Sequence, residues 1–385
     1  MRLGLVILLG AWSAGFSFAA LPPILPVSEL TPGMRGKTLT VMQGTEIVEL
    51  ETEILGVWKN ALAPGKDLIV ARLVDEKTKL TGAVHGMSGS PLYIDGKLVG
   101  ALSRRLGMFE KDGHCGFTPI EDMLDVGKRM AADDDLKPFP WSAGQDGTLT
   151  PQVKPAGDYL ALPLSISGWN ERLRELLEPL FPADGLFVPL AGGGAAAGAV
   201  EGAPIAPGSP LAVVLMSGDI DVAGTGTVTA VDDDEVLAFG HPMLGVGAVE
   251  FPFARAEIIS TLPSYYYPHK ISNTGQLAGT LKQDRLSAVA GNLGKLPALA
   301  AYEIQRKHNG ERRPTWRGQM VKDYRLAPML VLILAAVALD GGQDYSYHAT
   351  LRLKGEIVFE GLPPVKLDGI YSGRRYQALF DIVEP

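Results

Sequence analysis

Alternating hydrophobic and polar positions predict mostly β structure in three blocks of the chain, residues 21–125, 205–300 and 343–385. The clearest strand signals are four segments of β-branched or alternating residues, at 38–41, 46–50, 67–71 and 226–231. The sharpest local signal is a β-hairpin in which Asp95 and Gly96 form a two-residue type I′ turn between apolar segments. The last block predicts a small module that resembles a β-sandwich.

One helix interrupts this β pattern. It is predicted by leucines at positions i, i+3, i+4 and i+7, which are Leu173, Leu176, Leu177 and Leu180. Either Ser167 or Asn170 caps its start, and Pro179 and Pro182 end it. Residues 126–160 are polar and contain several prolines, and residues 191–210 are rich in glycine, alanine and proline. Both compositions predict linkers or loops.

Two longer apolar runs bear on membrane contact. Residues 1–19 carry the charged Arg2 near their start, continue with an apolar stretch and end in small residues, which is typical of a secretory signal peptide cut after Ala19. An uncleaved anchor is the alternative interpretation. The run at residues 326–339 contains Pro328 and is too short to span a bilayer, so it predicts a buried helix or a strand pair.

The net charge and the single cysteine argue against several classes of function and stabilisation. The chain has 385 residues and a formal net charge of −8 without a basic patch, which argues against a nucleic-acid partner. Its single cysteine, Cys115, cannot form an internal disulfide, so the hydrophobic cores alone must stabilise the fold. The three aspartates at residues 232–234 are interpreted as a polar hairpin turn and not as a metal site, because acidic residues are common in such turns. His114 beside Cys115 lacks further ligands at metal spacing, so neither a metal nor an organic cofactor is expected.

The candidate chemistry lies in residues 85–91, His-Gly-Met-Ser-Gly-Ser-Pro. Trypsin-like serine peptidases present their nucleophile in the pattern Gly-x-Ser-Gly-x-Pro, which points here to Ser88. The glycines allow a tight turn, and the amides of Gly86 and Ser88 would then form an oxyanion hole. Ser90 is the competing nucleophile, although it lies two residues later than the pattern requires.

A serine hydroxyl needs a base, and His241 is the best candidate among six histidines. It follows an apolar strand and Gly240 and precedes Pro242, which predicts a place at the rim of a barrel. The competing interpretation is a structural histidine whose ring is hydrogen-bonded at a strand end and takes no part in catalysis. His85 is too near the serine in sequence to fold back easily onto it. Three others are interpreted as surface, solvated or packing residues, namely His348, His308 and His269, and His114 is set aside as a weak zinc candidate beside Cys115.

These motifs resemble the SpoIVB-type serine peptidases. The similarity rests on short segments around the serine and the histidine: residues 81–91, 95–101, 116–124, 224–229, 238–241, 273–275 and 279–281. It implies a trypsin-like fold with Ser88 as nucleophile and His241 as base. In the sporulation enzyme the histidine block comes first, whereas here Ser88 precedes His241 by 153 residues. The resemblance therefore implies a circularly permuted arrangement, as in a group of exported bacterial relatives.

The sequence leaves open which residue is the acidic member of a catalytic triad. The resemblance implies an acid in a strand or turn shortly before the serine motif, and Asp75 is the nearest, although its spacing is about two residues short. Asp67 is the second candidate. The competing interpretations place Asp75 in a turn and Asp67 at a strand start. A Ser-His dyad without an acid is the further alternative.

The sequence thus predicts a mainly β protein, a trypsin-like double β-barrel in permuted order with a helical insertion and a small C-terminal β-module. Its expected segments are a signal peptide, a serine-bearing barrel half, a linker with a helical insertion, a histidine-bearing barrel half, and a C-terminal helix with the β-module, at residues 1–19, 20–125, 126–204, 205–300 and 301–385.

The expected function is an exported, periplasmic or extracellular serine endopeptidase that hydrolyses a protein of the cell envelope. No stable membrane span is expected after signal cleavage. The alternative is a catalytically inactive envelope binding or scaffold protein that retains the peptidase fold.

Overall fold

The computed structural model of the chain describes residues 21–79, 81–107, 112–131, 159–177, 181, 187–192, 204–264, 267–305, 307–308, 311–312, 314–340, 348–357 and 365–374. These residues are mainly β, as the sequence predicts, and they form two large β assemblies. The strands of the first assembly are β1 (Arg35–Val41), β2 (Ile47–Ala63), β3 (Lys66–Leu73), β4 (Pro91–Ile94), β5 (Lys97–Arg105) and β6 (His114–Pro119).

The first assembly is a closed barrel in the order β1-β2-β3-β6-β5-β4. Buried and more exposed side chains alternate along parts of β1, β2 and β3, whereas β5 and β6 are buried almost throughout; Leu50, Ile54 and Phe117 are fully buried. Between β4 and β5, Asp95 and Gly96 both have positive φ angles, of 50° and 75°. A type I′ turn requires this backbone, so the predicted hairpin is confirmed. Helix α1 (Ile120–Gly127) follows β6 directly.

The second assembly takes its strands from most of the remaining chain. The remaining helices and strands of the described chain, in chain order, are β7 (Leu162–Ile166), α2 (Glu171–Leu177), β8 (Phe187–Ala191), β9 (Pro210–Gly218), β10 (Val222–Asp232), β11 (Glu235–Ala238), β12 (Gly247–Leu262), β13 (His269–Arg285), β14 (Ala288–Leu293), β15 (Leu299–Ile304), β16 (Lys307–His308), β17 (Glu311–Arg312), β18 (Trp316–Val321), α3 (Ala327–Asp340), β19 (His348–Ile357) and β20 (Val365–Arg374).

Ten of these strands form one sheet, ordered β15-β18-β9-β12-β13-β14-β11-β10-β7-β8. Because β9 also pairs with β10, the six strands β9, β12, β13, β14, β11 and β10 close a ring of pairings. This ring is the histidine-bearing half of the predicted double barrel. Its core contains the fully buried residues Val213, Phe239 and Phe253.

The insertion contains more β structure than the sequence pattern indicated. Strand β7 pairs with β10, and β8 pairs in parallel with β7, so both extend the second sheet. All five residues of β7 are buried, so no alternation marks it as a strand. Helix α2 begins as predicted, because Asn170 Oδ1 accepts the amide of Leu173 at 3.0 Å. Leu180 lies outside the described residues.

The apolar run near the C-terminus is a helix, α3, in which Leu330, Ile333 and Ala336 are fully buried. None of the helices in the described part of the chain has both the length and the apolar character to cross a membrane. Strands β19 and β20 form a separate two-stranded antiparallel sheet. The rest of the predicted C-terminal module, residues 1–20 and most of both predicted linkers lie outside the described residues.

Candidate active site

Ser88 lies in the loop that leads into β4, and this loop is bonded to both barrels. The amide of Gly89 donates to the Leu102 carbonyl of β5 at 2.7 Å. On the other side, the Ser88 carbonyl accepts the amide of Thr227, which belongs to β10, at 2.8 Å. Ser88 is fully buried. The candidate nucleophile is therefore held where the two barrels meet.

Two amides in this loop are unpaired. Within the described residues, the N–H groups of Gly86 and Ser88 donate no hydrogen bond, whereas that of Met87 between them donates to the Val84 carbonyl at 3.0 Å. Gly86 has a φ of +94°, in the left-handed region that a side chain would strain. Two unpaired amides on either side of one residue are the donors that an oxyanion hole requires.

Two threonines of β10 fix the same loop from the second barrel. Thr227 Oγ1 donates to the Gly86 carbonyl at 3.0 Å, and Thr229 Oγ1 donates to the Gly89 carbonyl at 2.7 Å. Both threonines are fully buried. The threonine pattern of this strand is part of the resemblance noted from the sequence, but no local signal revealed that its hydroxyls bond the serine loop.

His241 lies just beyond β11, after a turn in which Phe239 and Gly240 have positive φ angles of 72° and 69°. The hydroxyl of Thr118, from the first barrel, donates to the Gly240 carbonyl at 2.6 Å. His241 is fully buried. The candidate base thus belongs to the second barrel but is tied to the first.

The environment of His241 selects its protonation state. Burial is the main cause that lowers its pKa to about 4, and Arg104 acts in the same direction, while the Pro242 carbonyl opposes them. The ring is therefore neutral at pH 7. Its Nδ1 lies 2.7 Å from the Pro242 carbonyl oxygen, which can only accept a hydrogen bond. Nδ1 consequently carries the proton, and Nε2 keeps the lone pair that a general base needs.

Thr227 connects the two candidate residues. Its amide donates to Ser88, and its carbonyl accepts the amide of Phe239, two residues before His241, at 3.2 Å. Among the described residues, neither Ser88 Oγ nor His241 Nε2 has a hydrogen-bond partner, so the two atoms are not bonded to each other here. The structure brings their segments to one strand and leaves both reactive atoms unpaired. Catalytic hydrogen bonds are often long without substrate.

The two candidate acids have local partners. Asp75 Oδ1 accepts the amide of Lys77 at 2.9 Å, in a turn. Asp67 forms an ion pair with Lys59 at 2.7 Å. Neither carboxylate has a hydrogen bond to His241, whose Nδ1 is already bonded to a backbone carbonyl. The structure therefore does not bring Asp75 or Asp67 to the ring that a triad acid would orient.

Ser90 and His85 are the other buried reactive groups of the motif. Ser90 is fully buried, and its Oγ also has no partner in the described part of the chain, so the alternative nucleophile stays open. His85 turns toward β13, with its ring stacked on Tyr267 at 5.1 Å between centroids. Burial, followed by the charge of Arg105, lowers the pKa of His85 to about 4.

Asp284 fixes the segment that follows His241. This fully buried carboxylate at the end of β13 accepts the amides of Met243, Leu244 and Gly245 at 2.8, 2.7 and 2.9 Å. Burial raises its pKa to about 6, although these amides act in the opposite direction. Through this loop, Asp284 holds the Pro242 carbonyl that orients the imidazole. No group of three or more histidine, cysteine or acidic residues in the described ranges is arranged to hold a metal ion.

Lys270 is a buried amine beside the serine loop that the sequence analysis did not single out. Its Nζ donates to Thr40 Oγ1 of β1 at 2.8 Å, and no ion pair reaches it within the described residues. Its aliphatic stem packs on Gly86, where an added Cβ would lie 3.2 Å from Lys270 Cβ. Burial lowers the pKa of Lys270 to about 7.

Replacing Lys270 with methionine is expected to change how stability depends on pH. The folded state binds the lysine proton less tightly than the unfolded state does. The cost of burying the charge therefore applies in full below pH 7 and declines as pH rises toward 10.5. We expect Lys270→Met to stabilise the protein more at pH 6.5 than at pH 9, by roughly 2–3 kcal/mol in urea unfolding. Lys282→Met, on the same strand but in a surface ion pair with Glu250, is the control. An equal effect of Lys270→Met at both pH values would contradict the shifted pKa.

The segment that contains Ser88 is similar to a known family. Residues 21–124 match the family model described as SpoIVB peptidase S55. This confirms the resemblance of the serine-bearing segment to SpoIVB-type peptidases and supports a peptidase. The matched segment contains the whole first barrel and Ser88 but not His241. Neither a search of curated proteins nor a search of solved structures found a match.

Proposed function

We propose that the protein is an exported serine endopeptidase that cleaves a protein of the cell envelope with Ser88 as nucleophile and His241 as base. The observation that carries the proposal is the junction between the barrels. There, two amides without a partner among the described residues flank Met87 in the serine loop, and a neutral imidazole whose Nε2 is likewise unpaired in that part of the chain is tied to the same strand. The charged, apolar and small-residue pattern of residues 1–19 supports export.

The geometry suggests the following sequence of steps. Ser88 Oγ attacks the scissile carbonyl carbon while its proton moves to His241 Nε2. The amides of Gly86 and Ser88 stabilise the oxyanion that forms. The Pro242 carbonyl, bonded to Nδ1–H, stabilises the imidazolium in the place of a triad carboxylate. When the tetrahedral intermediate collapses, the C–N bond breaks and Nε2 returns the proton to the leaving amine. A water molecule, deprotonated by the same Nε2, then hydrolyses the acyl-enzyme.

The chain order fits a circularly permuted form of the trypsin-like arrangement. The serine barrel comes first and the histidine barrel second, yet the junction holds the two segments as one unit through Thr227 and Thr118. Catalytic groups are recognised by geometry and not by their order in the chain, so this order does not oppose the proposal.

Hydrolysis of an unfolded protein substrate tests the proposal. The purified protein is expected to hydrolyse casein and to lose this activity after reaction with a fluorophosphonate. Ser88→Ala is expected to abolish both reactions, because no other group in the loop would have the base and the oxyanion amides together. Ser90→Ala, a change of the same size in the same loop, is the matched control and should keep both. Undiminished hydrolysis by Ser88→Ala would refute the proposed nucleophile, and no hydrolysis by any form would favour an inactive binding protein.

A further inference from the structure

Two charged side chains hold residues 242–248, which lead from His241 into strand β12 and which we call the base loop. One of them is Asp284, whose fully buried carboxylate accepts three consecutive amides of this loop at 2.8, 2.7 and 2.9 Å. All three amides directly follow Pro242, so the carboxylate fixes the backbone at that point of the loop.

The other side of the base loop is bonded by Arg325, which lies between β18 and α3. Its Nη1 donates to the Val246 carbonyl at 2.9 Å, and its Nη2 donates to the Ala248 carbonyl at 3.2 Å. The guanidinium is held in turn by the buried Asp323, whose Oδ1 accepts Nε at 2.9 Å and whose Oδ2 accepts Nη2. The Asp323 carbonyl also accepts the amide of Ala327, the first residue of α3, at 2.9 Å. Arg325 is therefore anchored to the start of a helix that packs in the core.

Each side chain matches the backbone groups that it binds. A carboxylate accepts N–H groups and a guanidinium donates to carbonyls, and hydrogen bonds to charged groups are about twice as strong as those between neutral ones. Burial acts against the charge of Arg325, but its bond to Asp323 and, more weakly, the charge of Asp284 raise its pKa. The base loop is therefore held from both sides by charge-assisted hydrogen bonds.

The contact that orients His241 lies in this loop. Nδ1 of the ring is 2.7 Å from the Pro242 carbonyl oxygen, and this proline immediately precedes the amides that Asp284 binds. Proline has no N–H to fix its own peptide plane, so the place of its carbonyl depends on the residues that follow. A shift of this carbonyl would release the Nδ1 proton and allow the other tautomer.

We propose that Asp284 and Arg325 are positioning residues for the base. Together they hold the base loop so that the Pro242 carbonyl stays bonded to Nδ1 of His241. This inference rests on the proposed function. Both side chains act through the backbone of the loop and not through the ring. The proposal also gives a function to the segment before α3, which lies outside the part of the chain that matches the peptidase family.

The kinetics of casein hydrolysis test the inference in two variants. Asp284→Asn keeps the shape of the side chain, but its amide nitrogen cannot accept, so at least one amide of the base loop loses its acceptor. Arg325→Met keeps an unbranched apolar stem and removes both donors. We expect kcat to fall about 100-fold in Asp284→Asn and about tenfold in Arg325→Met, with KM within about twofold of wild type, because a misplaced base slows the chemical step without weakening binding.

Arg317→Met is the matched control for the arginine. Arg317 also pairs with an acidic side chain, Glu303, at 2.8 Å, but this pair lies on the surface of β18 and β15 and has no bond to the base loop. We expect this variant to keep the wild-type kcat and KM.

The ring proton of His241 gives a second readout, which does not depend on turnover. In protein with 15N-labelled histidines, we expect wild type at pH 7 to carry a proton on Nδ1 of His241 and none on Nε2. In both variants this proton should exchange with water about tenfold faster or more. A general loss of stability would not single out one ring, so the ring proton of His85 should keep its wild-type exchange rate and serves as the internal reference.

Arg325 is partly exposed, so Arg325→Met is expected to fold even if Asp284→Asn does not, and it then decides alone. Folded variants with wild-type kcat and unchanged exchange at His241 would overturn the inference while the proposed function stands. A rise in KM at unchanged kcat would also overturn it, because it would place these residues at the substrate. If wild type neither cleaves casein nor reacts with a fluorophosphonate, the proposed function fails, and the positioning of a base fails with it.

Discussion

His241→Ala is expected to lower the rate constant for acylation of Ser88 by a fluorophosphonate by about 10³-fold or more. The serine hydroxyl is a weak nucleophile unless a base takes its proton in the transition state. In the described residues, His241 offers an unpaired Nε2 whose lone pair is free at neutral pH, because Nδ1 is bonded to the Pro242 carbonyl. The measurement is the rate of adduct formation by intact-mass spectrometry, with the probe in excess.

Added imidazole is the control for this variant. His241 is fully buried, so its removal leaves a cavity that a free imidazole fits, and imidazole should restore part of the rate. It should not restore any rate to Ser88→Ala. A His241→Ala variant that folds and reacts as fast as wild type would exclude His241 as the base and would direct attention to His85, the other neutral buried imidazole of the motif.

Gly89→Ala is expected to give the largest loss of stability. Gly89 has a φ of +95°, which a side chain strains. An added Cβ would lie 2.5 Å from the amide nitrogen of Phe239 and closer still to the Thr227 carbonyl oxygen. These are backbone atoms of the second barrel, so the two barrels would have to move apart. We expect a loss of about 3 kcal/mol or more in urea unfolding, or failure to fold.

Gly294→Ala separates the two causes of this loss. Gly294 has nearly the same φ, +92°, but an added Cβ would meet nothing within 4 Å. Its replacement should therefore cost only the backbone strain, about 1 kcal/mol. Equal losses for the two variants would show that the close approach of the barrels at Gly89 does not contribute to stability.

Local features of the fold were predictable from the sequence because their causes are local. Asp95 and Gly96 form the type I′ turn that their residue types favour, and Asn170 caps α2. Strand β7 was not predictable, since its five buried residues show no alternation and its partner β10 lies far along the chain. The same limit applies to Tyr159, which meets β5 through an isolated bridge.

The residues of the candidate site likewise fall into those that a local motif predicted and those that it did not. The motif around Ser88 predicted the loop and its two amides, because Gly86 and Gly89 allow the positive φ angles that this turn has. The residues that support the site come from elsewhere in the chain and carry no local signal: Thr227 and Thr229 bond the loop, Asp284 holds the segment after His241, and Lys270 packs on Gly86. Only the folded chain brings these side chains together.

Activation of one serine at the junction of the two barrels underlies the proposed function. Tandem mass spectrometry of the protein after reaction with a fluorophosphonate measures this most directly, because it assigns the adduct to a single residue. We expect one adduct per chain, on Ser88, which disappears in His241→Ala. An adduct on Ser90 or on a residue outside the loop, or an adduct on Ser88 that forms equally fast without His241, would contradict it.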